Sequence, residues 1–65
     1  MFQISMEAAR INAKLTQKEV ANSMGKSLST VRNWECGRSI PDAIEFQNLC
    51  KLYQIPPDAI FLPRK

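Results

Sequence analysis

Apolar positions recur at intervals of three and four residues along most of this 65-residue chain, and the two-residue alternation of a half-buried strand never persists. The pattern predicts five helices joined by short turns. Ser5 is placed to cap a first helix running to about residue 13, with Met6, Ala9 and Ala13 along one side. Thr16 followed by Glu19 is a capping box, in which hydroxyl and carboxylate each satisfy a free backbone N–H. It opens a second helix that turns Val20, Ala21 and Met24 inward and stops at Gly25. Ser27 caps a third helix that ends at Gly37, and Val31, Trp34 and Glu35 share one of its faces. Two of those three belong in a core, and the third is a carboxylate that needs a partner there.

The stretch "RSIP" then makes a turn, because the ring of Pro41 pushes Ile40 out of the helical region. Asp42 and Glu45 form a second capping box, followed by Phe46, Leu49, Cys50 and Tyr53 at the spacing of a helix packed on a core. Pro56 and Pro57 end that helix and start a last short one, expected over Asp58 to Leu62, before a loose tail. The expectation is a compact all-α, five-helix bundle forming one domain over residues 1–65. A chain this short buries roughly 60% of the surface its unfolded form exposes.

No apolar run approaches the roughly 20 residues of a membrane span, and the N-terminus has no basic start, apolar block or cleavage site. On these features the protein is expected to be cytoplasmic and not membrane-bound. Two cysteines without a single histidine are too few for a structural zinc site or a disulfide framework, so Cys36 and Cys50 are expected free and reduced. No cofactor, metal or small-molecule substrate is expected. The few carboxylates are capping residues or scattered, no nucleotide-binding loop occurs, and an enzyme is not indicated.

The net charge of +3 is unevenly spread. Residues 10–38 hold Arg10, Lys14, Lys18, Lys26, Arg32 and Arg38 against Glu19 and Glu35, a net +4, whereas the remainder carries −1. A basic first half suggests a polyanionic partner. Two short helices joined by a glycine-containing turn, here residues 17–36, are also the arrangement that places a second helix in the DNA major groove.

Over residues 5–62 the chain resembles the Cro/C1-type phage repressors, a helix-turn-helix family with the lambda-repressor-like fold. The anchors are Arg10, "LTQKEVA" at 15–21, Val31, "WECG" at 34–37, Pro41 and "YQIPPDAIF" at 53–61, kept at the family's spacing without a gap. The resemblance implies a structural ion pair between Arg10 and Glu35, which would orient the third helix. It implies phosphate contact by Gln17 at the start of the second helix and by Arg38 after the third; by their charge Lys14, Lys18 and Lys26 are further candidates for phosphate at the rim, and the Thr30 hydroxyl is another. Base contacts would come from Leu28, Ser29, Arg32 and Asn33. Asn33 suits adenine N6 and N7, Arg32 suits guanine or a phosphate, and Leu28 suits a thymine methyl. Two positions depart from the family pattern: Lys26 replaces a small apolar residue and Trp34 is bulkier than the usual aliphatic.

The implied function is sequence-specific regulation of transcription, in a phage or mobile element, through a double-stranded operator read by a homodimer. Ile44, Leu52, Phe61 and Leu62 are candidates either for the dimer interface or for the core. The alternative is an antitoxin or accessory module that uses the same fold to bind another protein.

Overall fold

A computed structural model describes residues 3–62. The described chain is helical: α1 spans Met6–Asn12, α2 Gln17–Met24, α3 Leu28–Cys36 and α4 Ala43–Tyr53. Each starts where a side chain supplies the acceptor that the first turn lacks. Ser5 accepts from the Ala8 N–H, Thr16 from Glu19, Ser27 from Thr30 and Asp42 from Glu45, and the capping boxes of α2 and α4 are both complete. α2 and α3 end on Gly25 and Gly37, whose φ values of 66° and 82° lie in the left-handed region that closes a helix without steric penalty. The αL turns after α1 and α4 instead fall on Lys14 and Gln54, at φ 62° and 58°.

The inward stripes meet in one core made of Met6, Ala9, Val20, Ala21, Val31, Trp34, Leu49, Cys50, Tyr53 and Ile60. Trp34 is only 3% exposed, so the bulky substitution fills the core and does not present indole to solvent. Phe46, Leu52 and Leu62 pack against the core from its edge, while Ile44 and Phe61 stay exposed, at 71% and 45%. Cys50 is buried, its thiol pushed up by desolvation, and Cys36 is exposed.

The expected fifth helix over Asp58 to Leu62 is absent. Pro57–Ala59 forms a single 3-10 turn, after which Ile60 is extended, at φ −115° and ψ 127°. Ile60 belongs to the core and pairs with Ile4 in an isolated parallel β-bridge, with Ile4 N–H donating to Ala59 O at 2.8 Å and Phe61 N–H to Ile4 O at 3.1 Å. An extended backbone satisfies Ile4 and Phe61 together and buries Ile60, which continuing the turn as a helix would prevent. The expectation of a loose tail at residues 63–65 lies outside the described residues. Among the described residues no helix is long and apolar enough to cross a membrane.

Candidate nucleic-acid interface

Only Gly25, Lys26 and Ser27 separate α2 from α3. Lys26 N–H donates to Ala21 O at 2.9 Å and Gly25 N–H to Asn22 O at 3.3 Å, bonds that satisfy the last carbonyls of α2 and turn the chain at once into the cap of α3. Val31 and Trp34 anchor the inner face of α3 in the core. Ser29 and Arg32 are exposed on its outer side, with Leu28, Thr30 and Asn33 half-buried.

Glu35 lies where α1, α2 and α3 converge, with its side chain 7% exposed. Arg10, itself 12% exposed, donates through Nε to Glu35 Oε2 at 2.8 Å and more distantly through Nη2 to Oε1 at 3.5 Å. Its Nη1 donates to the carbonyl of Leu15 at 2.9 Å, fixing the α1–α2 connection as well. A guanidinium presents a planar fork of donors, so one side chain serves three acceptors and neutralises a carboxylate that would be costly to bury alone. Glu7 approaches the same guanidinium at 4.0 Å from the exposed side.

A second donor to Glu35 was not anticipated from sequence. Gln17 donates from Nε2 to Glu35 Oε1 at 2.8 Å, and its Oε1 accepts from Arg32 Nε at 3.5 Å. Arg10, Glu35, Gln17 and Arg32 thus form one chain of contacts reaching from the first helix to the exposed face of the third. Beneath it, the phenol of Tyr53 is pushed up to about 12, first by burial and then by the negative charge of Glu35.

The other expected phosphate ligands differ in availability. Lys18 and Arg38 are exposed, and the Arg38 N–H is held by Asn33 O at 3.0 Å. Thr30 shares a hydroxyl hydrogen bond with Ser27 at 2.9 Å. Lys26 is engaged elsewhere: its Nζ lies 2.7 Å from Glu45 Oε2, tying the α2–α3 turn to the start of α4. The contact raises the lysine and lowers the carboxyl, chiefly through their mutual hydrogen bond. The sequence signal for this partner is thin. Glu45 is legible as the far half of the Asp42 capping box through Oε1, but nothing local announces that its Oε2 is free for Lys26. Lys14 is exposed after α1.

Comparison with known proteins gives two matches. A family described as helix-turn-helix matches residues 6–60, most of the chain. Among curated proteins, the Type II methyltransferase M1.ScrFI of Lactococcus lactis subsp. cremoris is 32% identical over 59 residues, an alignment that covers 86% of this chain. The chain spans 15% of that protein's length. No solved structure matches.

Proposed function

We propose, on the premise that this chain belongs to the Cro/C1-type helix-turn-helix family, that it is a sequence-specific regulator of transcription that reads duplex DNA with α3. DNA binding is the work of the family's domain; the operator, the phage or mobile-element setting and the dimeric state are our reading. The observation that supports it best is the locked α2–turn–α3 unit: Glu35 accepts from Arg10 and Gln17 on the inner side, while Ser29 and Arg32 are exposed and Leu28 and Asn33 half-buried on the same helix. A reading helix must be held rigidly, because base edges discriminate through short, directional hydrogen bonds.

In this reading Asn33, Ser29 and Leu28 meet base edges and Arg32 reaches guanine or a phosphate. Lys18, Thr30 and Arg38 hold phosphate, Gln17 supports a phosphate contact at the start of α2, and Lys26 joins them only by leaving Glu45. Two copies bind a near-palindromic site, with the exposed Ile44 and Phe61 as apolar surface available for contact. The likeness to a methyltransferase covers a small part of that protein, and methyl transfer is no part of the reading.

The test is selection of bound sites from random duplex DNA, repeated with single variants. Wild-type selection should return two half-sites about 10 base pairs apart, centre to centre. Asn33→Ala should cost about 1–3 kcal/mol on the selected site and little on random DNA, relaxing preference at one base pair per half-site. If Leu28→Ala, Ser29→Ala and Asn33→Ala all leave the selected sequence and its affinity unaltered, α3 is not the reader, and the antitoxin or accessory-module reading replaces this one.

A further inference from the structure

Gln17 stands between a buried carboxylate and an exposed guanidinium, and its chemistry fixes which way it faces. A carboxylate only accepts hydrogen bonds, so the amide can meet Glu35 Oε1 only through Nε2, as it does at 2.8 Å. The carbonyl Oε1 is therefore turned outward, where it accepts from Arg32 Nε at 3.5 Å. An outward carbonyl repels a phosphate oxygen, and a single Nε2 hydrogen remains for any direct contact. Arg32, by contrast, keeps its Nη1 and Nη2 edge and its full charge: the charge of Glu35 is taken by Arg10 at 2.8 Å, Gln17 is neutral, and Arg32 makes no ion pair among the described residues. The Gln17 contact ties Arg32 to the start of α2, beside a cleft that Glu7 and Glu35 also line.

Resting on the DNA-binding reading above, we propose that Gln17 is a positioning residue for Arg32, and that Arg32 so held grips a backbone phosphate and does not read a base. The inner half of the relay gives Gln17 its orientation. Arg10 neutralises Glu35, Glu35 fixes the amide, and the amide holds Nε of Arg32 so that the Nη edge faces outward. The contribution of Gln17 to DNA binding then passes largely through Arg32.

A double-mutant cycle tests this, with affinities of wild type, Gln17→Ala, Arg32→Ala and the double variant measured on the selected duplex and on a random one across a salt series. Arg32→Ala should weaken both duplexes about ten-fold, the scale of one charge-assisted hydrogen bond. It should also lower the slope of log affinity against log salt by about 0.9, the value of one phosphate contact. Gln17→Ala should act in the same direction and less strongly, and the double variant should be no worse than Arg32→Ala within about two-fold, because coupled neighbours are not additive. In the free protein, the Arg32 Nε–H resonance in nitrogen-15 spectra should move in Gln17→Ala. The proposal is overturned if the two losses multiply, if Arg32→Ala changes preference at one base pair while sparing random DNA, or if the Nε–H resonance is indifferent to Gln17→Ala. A wild-type chain that binds no duplex at low salt overturns the DNA-binding reading and this inference with it, whereas multiplying losses in a chain that does bind overturn the inference alone.

Discussion

Truncating Arg10 to alanine removes both guanidinium contacts to Glu35 and the bond to the Leu15 carbonyl in one step. Glu35, 7% exposed in the intact protein, then keeps one side-chain donor, Gln17 Nε2. Breaking a buried ion pair from one side costs about 3–5 kcal/mol, and the surviving amide bond places this case near the lower end, at about 3 kcal/mol. A 65-residue domain has roughly 3–10 kcal/mol to lose, so the change is large on its own scale. Trp34 is the single tryptophan and is 3% exposed, so its fluorescence reports urea unfolding directly. With a slope of about 1 kcal/mol/M for a protein this small, the midpoint should fall by about 3 M. Adding Glu35→Gln to the Arg10→Ala chain removes the stranded charge and should restore a part of the loss. If Arg10→Ala leaves too little folded protein to titrate, Arg10→Lys supplies the measurement: it keeps the charge but not the fork, and should cost about 1–2 kcal/mol. A midpoint for Arg10→Ala within about 0.5 M of wild type, or no recovery with Glu35→Gln, would refute the view that this pair locks α1 to α3.

Three further outcomes follow from the geometry. The phenol of Tyr53 is held at about 12 against an ordinary 10.0, so between these values the unfolded chain releases a proton that the folded chain keeps. Stability should therefore be fully present below pH 10 and decline by up to about 3 kcal/mol as pH rises through 12, and Tyr53→Phe should remove that decline in alkaline unfolding titrations. Because Lys26 is paired with Glu45, Lys26→Met should leave the salt slope of DNA binding almost unchanged, whereas Lys18→Met should lower it by about 0.9. Lys14 pays the steric cost of φ 62°, so Lys14→Gly should raise stability by about 0.5 kcal/mol, the αL penalty less the extra unfolded-state entropy of glycine, as measured by denaturant titration.

What the sequence made legible is local. The caps at Ser5, Thr16, Ser27 and Asp42 and the stops at Gly25 and Gly37 are set by residues three or four apart, and the helices begin and end there. The periodic stripes likewise named nearly the whole core. The terminal segment failed because its conformation is decided 57 residues away, where Ile4 supplies the acceptor for Phe61 N–H. The site divides the same way. Glu35 stood out as a carboxylate on an inward face, but its bonds to Arg10 and Gln17 cross 25 and 18 residues, beyond any local rule. A family likeness could nominate Arg10; it could not show Gln17 turned towards Glu35 or Lys26 committed to Glu45, since both depend on how α2 is set against its neighbours.

The bridge between Ile4 and Ile60 has a mechanical consequence. Because the two segments run parallel, chain arriving at residue 4 comes from one end of the pair and chain departing after residue 60 leaves by the other. Tension applied along the polypeptide would slide the two segments past each other and load their hydrogen bonds sideways, together, before any helix is pulled. Antiparallel ends would open one bond at a time, like a zipper. Those two backbone bonds, with Gln3 Nε2 donating to Asp58 O at 3.1 Å beside them, thus act as a small clasp. It shields the helical core, and the face that α3 presents, from a pull transmitted along the chain.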